Sequence, residues 1–347
     1  MEERFYPRKL VPGDRVAIVS PSGGLAEVFP EPYELGLRRL RSEFELEPVE
    51  YPTTRRLHTA PAQRAADLHA AFADPDIAAV IASIGGEDQI TVLPHLDREL
   101  IRTNPKPFFG YSDNTNLLAY LWNTGLVGYH GGSIMVEFGR PGAMHALTAA
   151  SLRAALFTSG EHELTACAET GHKQRRWDEP GALDTVPQME PAQDWHWHHP
   201  TGVIEGVAWG GCLEILSWLL MADREVRPPE TYAGCVLVAE TSEEMPSATE
   251  VYRVLRNMGE RGLLAQFSAA LIGRAKNWSF EQPLSDAERA RYTADQRAAV
   301  LRAFAEYAPH ATIVFDVDFG HTDPQVVLPI GGRIRIDGPA RRITVQY

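Results

Sequence analysis

Three residue types that together turn an alcohol into a nucleophile occur at separate points of this 347-residue chain, as Ser112, Glu240 and His321. A serine hydroxyl attacks poorly until a base takes its proton, and an imidazole base needs a carboxylate to hold its tautomer. Ser112 lies in Phe109-Gly110-Tyr111-Ser112-Asp113, at the join between an apolar run and a helical pattern. A serine on such a turn is pushed out of the sheet at a helix N-terminus, where dipole and free N–H groups favour an oxyanion. Gly110 gives room for the bend, while Asn114 stands where a nucleophile elbow usually has a second glycine. Taken alone, Ser112 reads more readily as a helix cap. Gly85-Gly86 also closes an apolar run, and its N–H groups are candidates for an oxyanion hole beside that of Asp113. A turn needing positive φ is the plainer reading of that pair.

Other residues suggest recognition. Trp177, Trp195 and Trp197 offer flat faces to a purine. Just before Trp177 comes His172-Lys173-Gln174-Arg175-Arg176, the densest basic run in the chain, in which Arg175 or Arg176 is a candidate partner for a phosphate-like group. The plain alternative is a solvated charge run beside packed tryptophans. His196, His198 and His199 have a spacing seen in metal ligands, but no Cys or carboxylate partner accompanies them, so no metal is expected. His130 reads as structural or supporting. Glu243 and Glu244 read as solvated acids ahead of a helix, less suited than Glu240 to orient a base.

The elements that must position these groups follow from periodicity. Residues 16–20, 77–84 and 107–111 read as strands, the second apolar enough to be buried on both faces. Tyr33, Leu37 and Leu40, then Ala65, Leu68 and Phe72, mark helix faces, and 114–123 is a helix stopped by Gly125. Strands alternating with helices predict a parallel sheet with crossover helices. Later come a helix through Cys212, Ile215, Leu216 and Leu219, and strands at 235–239, 269–272 and 312–317. Ser247/Glu250 and Ser285/Glu288 have capping-box spacing, and a hairpin turns at Asp337-Gly338. Glu240 and His321 therefore follow strands at their carboxyl ends, the edge where open α/β sheets place ligands.

The expected organisation is an α/β domain over 1–165 carrying the nucleophile, a Trp/His-rich linker and substrate loop over 166–201, and a β/α domain over 202–347 carrying Glu and His. A net charge of −13 argues against nucleic-acid polymers, though not against a small anionic substrate. No run of apolar residues is long enough to span a membrane, and the first residues lack the apolar stretch of a secretory signal. Three widely spaced cysteines form no disulfide framework, which fits a reducing cytoplasm. A non-catalytic nucleotide-binding module is the rival of another class. Neither G-x-G-x-x-G nor G-x-x-x-x-G-K-[ST] occurs to support it.

Four stretches add a family resemblance: HTAPAQRAADLHAAFADPDIAAVIASIGG, KPFFGYSDNTNLL, VLVAETSEEMPS and DFGHTDPQVVLPIG. Together they resemble the LD-carboxypeptidase family of serine peptidases, which includes the microcin C immunity proteins, over nearly the whole chain. The resemblance implies a Ser112–Glu240–His321 triad, a Rossmann-like N-terminal layer, a smaller C-terminal domain of mixed β/α structure and an active site between them. It implies no cofactor and, as usual in the family, a homodimer. Murein-recycling members carry Arg-Gly-Gly-Tyr-Gly where this chain has Ser83-Ile84-Gly85-Gly86-Glu87-Asp88. That departure, with the Trp-rich loop, resembles the immunity branch. Its members hydrolyse the amide joining a C-terminal aspartyl residue to a modified adenosine phosphate. The expected substrate is accordingly an aminoacyl- or peptidyl-nucleotide. Removal of a terminal D-alanine from murein tetrapeptide is the alternative.

Overall fold

A strand covered on both sides needs no polar alternation, and Ile77–Ala82 is buried at every position. The computed structural model, which describes residues 4–347, places it in the middle of a six-stranded sheet. Along the chain this sheet takes β1 (Arg15–Val19), β2 (Glu47–Glu50), β3 (Ile77–Ala82), β4 (Phe108–Gly110) and β5 (Gly128–His130). They are parallel and ordered β5-β4-β3-β1-β2. Helices α1 (Pro30–Phe44), α2 (Pro61–Ala73), α3 (Arg98–Thr103) and α4 (Thr115–Asn123) fall between successive strands. Tyr33, Leu37 and Leu40 of α1, and Ala65, Leu68 and Phe72 of α2, are buried as their spacing predicts. Because β2 is added on one side of β1 and β3 on the other, the strand order reverses there, and the loops after β1 and β3 open a crevice.

After α5 (Ala146–Phe157) the chain forms β6 (Glu161–Leu164), a ribbon of β7 (Glu169–Thr170) with β8 (Glu190–Pro191), and β9 (His196–His198). Then come β10 (Val203–Cys212), α6 (Leu213–Ala222), β11 (Val236–Glu240), α7 (Ala248–Glu260), β12 (Ala269–Gly273), α8 (Asp286–Tyr307) and β13 (Thr312–Val317). The chain ends with β14 (Leu328–Ile330), β15 (Arg333–Asp337) and β16 (Arg342–Gln346). The second sheet is eight-stranded and mixed, ordered β6-β16-β15-β10-β11-β12-β13-β9. Its β10 to β13 are parallel, which puts the ends of β11, β12 and β13 on one edge. Both capping boxes form, at Ser247/Glu250 and Ser285/Glu288, and so does the hairpin of β15 and β16. The fold is α/β: a parallel-rich first sheet followed by a mixed second one.

Each half of the chain lends a strand to the other's sheet. β6 pairs with β16, and β14 pairs antiparallel with β5. One hydrophobic cluster runs through both sheets. Trp122 Nε1 of α4 donates to the Ala208 carbonyl of β10 at 3.1 Å, and Cys212 N donates to Thr115 Oγ1 at 3.0 Å. The helix α4 is thus pinned to the strand that enters the second sheet. Among the described residues no helix is long and apolar enough to cross a membrane.

Candidate functional site

Ser112 sits directly after β4 in a single 3-10 turn that leads into α4. Its φ is +61°, in the left-handed region that a residue with a Cβ rarely occupies. Holding it there costs on the order of 1 kcal/mol and aims the hydroxyl away from the sheet. Asn114 explains how the turn survives without a second glycine. Its amide donates to the carbonyls of Tyr111 (3.0 Å) and Ile84 (3.2 Å) and accepts from Gln89 Nε2 (2.9 Å). A side chain at Gly110 would collide with Asn114, so the glycine makes room for this brace.

The same network holds Gly85-Gly86 against the serine. Asp113, fully buried, accepts from Gln89 N at 2.9 Å and from Asn116 Nδ2 at 2.8 Å. Burial, partly offset by the Gln89 backbone amide, raises its carboxyl pKa to about 6. A Cβ on Gly85 would lie 2.8 Å from Ser112 Cβ and 2.9 Å from Ser112 Oγ, with Asp113 N at 3.6 Å. Only glycine leaves that space open beside the hydroxyl.

Glu240 ends β11, fully buried, and His321 follows Gly320 just beyond β13. Their contact is direct: His321 Nδ1 lies 2.7 Å from Glu240 Oε2. Gly320, at φ +93°, is what permits it, since a Cβ there would stand 2.5 Å from Glu240 Oε2. The other nitrogen, Nε2, has no hydrogen bond and lies 3.3 Å from Glu243 Oε2. Burial alone would favour the neutral ring, but Glu240 and Glu243 together outweigh it and raise the His321 pKa to about 9. Tyr111 meets the ring edge-on at 5.0 Å between centroids. His130, wholly buried, lies 3.8 Å from Glu240 Oε1; burial, and then the charge of His321, keep it neutral, with its pKa lowered to about 3.

Ser112, Gly85, Gly86, Glu243 and His321 line one cleft of about 800 Å3. The linker contributes Lys173, Gln174, Arg175, Arg176 and Trp177 to its wall, and Phe29 packs edge-on against Trp177 at 5.5 Å. Arg176 is paired with Asp178 at 3.0 Å, and Arg175 is exposed. The expectation for the other two tryptophans is corrected. Trp195 is buried and donates its Nε1 to Asp318 Oδ2 at 3.0 Å. Trp197 belongs to β9, which edges the second sheet against β13. Neither lines the cleft, because strand pairing has drawn 196–198 into the sheet. Among the described residues no group of three or more His, Cys, Asp or Glu is placed to hold a metal ion.

Glu243, which the sequence reads as a solvated acid, is a residue of the site. A polar run before a helix gives no sign that one acid turns back toward the base. His321 stands four residues beyond the end of β13 and Glu243 three beyond the end of β11, and these two strands end on one edge of the second sheet. A short connection from the carboxyl end of a neighbouring parallel strand is the signal that could have found it.

Residues 16–131 match the LD-carboxypeptidase N-terminal domain, and residues 205–336 match the C-terminal domain of the same family. A relative from Treponema pallidum, assigned by its name to the carboxypeptidases, is 30% identical over 82% of this chain and 77% of its own length. A Bacillus subtilis protein named as a probable murein peptide carboxypeptidase is 27% identical over 99% of this chain and 94% of its own. The solved structure of the microcin C7 self-immunity protein MccF, in complex with aspartyl sulfamoyl adenosine, superimposes with a TM-score of 0.84 at 21% identity. That superposition covers 99% of this chain and 98% of the other. The chain belongs to the LD-carboxypeptidase family of peptidases.

Proposed function

We propose that this protein is a serine hydrolase of amide bonds, with Ser112 as nucleophile, His321 as base and Glu240 as the carboxylate that orients it. The observation that carries the reading is the 2.7 Å contact of His321 Nδ1 with Glu240, made at the wall of the cleft into which a strained Ser112 projects. Nδ1 is thereby fixed as the proton-bearing nitrogen, which leaves Nε2 as the one able to accept. Nε2 takes the Ser112 proton as Oγ attacks the scissile carbonyl, and the oxyanion forms toward the N–H groups of Asp113 and of Gly85 or Gly86. The C–N bond breaks, the leaving amine takes the proton from His321, and water then cleaves the acyl-enzyme with the same base. Glu243 must first release Nε2, since a protonated ring cannot accept.

The substrate that fits best joins an acyl group to a nucleotide, as a peptidyl or aminoacyl amide. Trp177 and Phe29 supply aromatic surface at the cleft wall, and Arg175 and Arg176 supply charge beside it. Removal of a terminal D-alanine from murein tetrapeptide remains the second reading, favoured by the near full-length likeness to the Bacillus subtilis protein. The residues work without a cofactor in either scheme, and the division into a serine-bearing half, a substrate loop and a Glu/His-bearing half serves both. Parallel assays on an aminoacyl phosphoramidate of adenosine and on murein tetrapeptide separate the two. The nucleotide amide is expected to turn over faster, and Arg175→Ala with Arg176→Ala to raise its KM more than that of a plain dipeptide amide. Exclusive cleavage of the tetrapeptide, or equal effects of the arginine pair on both amides, would reverse the order of the readings.

A further inference from the structure

Beyond the triad, the cleft holds a buried cation with no ion-pair partner among the described residues. Lys276 is 2% exposed, lines the cleft with His321 and Glu243, and its Nζ makes no hydrogen bond. Its surroundings make this unusual. Three cations gather where β12 ends and α8 begins, and the other two are closed off. Arg274 is held by Asp318 at 3.0 Å, and Arg289 is held by Glu190 and Asn277. The carboxylates whose charge reaches Lys276 are Glu243 and Asp323, and neither forms an ion pair with it. Glu243 is turned to His321, and Asp323 is bound to Arg140 at 2.8 Å. His172 alongside is neutral: burial lowers its pKa, and the neighbouring cations lower it further. A buried ammonium without a partner is costly, and proteins keep one where a ligand completes it.

We propose that Lys276 is the receptor for an anionic group carried on the leaving amine of the substrate. The inference rests on the hydrolase reading, because that reading makes His321 the donor to the departing nitrogen. Lys276 stands with His321, Glu243 and Asp323 on the wall of the cleft built from the strand ends of the second sheet. An anion one or two bonds beyond the departing nitrogen is the part of the substrate that such a wall meets. Two kinds of leaving group present one. An amino acid released by a carboxypeptidase carries its free carboxylate, and a phosphoramidate carries a phosphoryl oxygen. The shared chemistry is a compact oxyanion, and a flexible ammonium suits either as a point charge. Burial lowers the lysine pKa to about 8, with Glu243 and Asp323 opposing the shift, so the cation still prevails at neutral pH. A substrate neutral at this position leaves the ammonium unpaired, which gives a physical reason to discriminate against it.

Binding to full-length Ser112→Ala by calorimetry tests this without turnover, using two pairs of probes. The first pair is murein tetrapeptide ending in free D-alanine and the same peptide as its carboxamide. The second is AMP and adenosine. At least one anion is expected to bind more tightly than its neutral partner. Adding Lys276→Met is expected to weaken that anion by roughly 10–100-fold while leaving the neutral partner unchanged. Loss confined to the peptide acid assigns the carboxylate, and loss confined to AMP assigns the phosphoryl group. Methionine keeps the apolar stem, and an unaltered melting temperature confirms folding. Should Lys276→Met fail to fold, the anion preference of Ser112→Ala itself decides. Equal binding of acid and amide together with equal binding of AMP and adenosine would overturn the proposal, as would an anion preference that survives Lys276→Met. Failure of the hydrolase reading looks different: the anion preference would stand while the unaltered protein cleaved neither substrate.

Discussion

At the scale of single residues, the site turns on which carboxylate meets which nitrogen of His321. Glu240 at Nδ1 orients the ring, whereas Glu243 at Nε2 favours the proton that must be absent before attack. Burial pulls the ring toward neutrality, and the two acids overcome it, with the result near 9. The free enzyme therefore has its base protonated at neutral pH, and kcat/KM is expected to climb with pH and level off only near 9. Glu243→Gln removes one of the charges that raise the pKa. The rising limb should then move to lower pH, and activity near pH 7 should increase. An unmoved limb would contradict this assignment. Stability carries the same sign. A pKa raised from 6.5 contributes stability that is fully present below 6.5 and lost as pH rises through about 9. Glu243→Gln should flatten that loss in a pH series of denaturant titrations.

At the scale of elements, short connections after parallel strands do the positioning, and glycine sets how closely they approach. Gly320 and Gly160 are both at positive φ, +93° and +103°. A Cβ on Gly160 meets nothing within 4 Å, while one on Gly320 strikes Glu240. Gly160→Ala should therefore cost only the backbone strain, about 1 kcal/mol. Gly320→Ala should in addition displace Glu240 from His321 and lower kcat/KM by roughly 100-fold. Equal kinetics in the two variants would show that the Glu240 contact does not matter. Much of this framework was legible in the sequence, because β1, β3, β4, β11 and β13 are dominated by apolar residues and α1 and α2 keep their apolar residues on one face. β10 was not. Its Gly206, Gly210 and Gly211 break the alternation, yet they are needed where the strand presses on neighbouring backbone and on the Thr115 side chain: a Cβ on Gly210 would lie 1.9 Å from the Val238 carbonyl oxygen. The short strands at 47–50 and 128–130 carry too few residues to show a period. The tryptophan-rich stretch looked like one loop, since three residues of edge strand within it leave no pattern to read.

At the scale of the whole molecule, Ser112 and His321, 209 positions apart, share one cleft because the two sheets are tied at several points. β14 crosses into the first sheet directly after the loop that holds His321, and the Tyr347 hydroxyl donates to the Val327 carbonyl just before it. The Thr115 contact with Cys212 fixes α4 to the strand that leads into the second sheet. This arrangement let four sequence motifs point to a single centre, while the orientation of Glu243 and the isolation of Lys276 needed the packed structure. The central claim is that Ser112 carries the acyl group between two halves of a hydrolytic cycle. Rapid quenching of the full-length protein with an aminoacyl nucleotide amide or murein tetrapeptide, followed by peptide mass spectrometry, tests it directly. An adduct of the acyl mass on the peptide containing Ser112, formed before steady state and missing in Ser112→Ala, is the predicted result. Hydrolysis that proceeds in Ser112→Ala at the unaltered rate, with no adduct at that peptide, would contradict it.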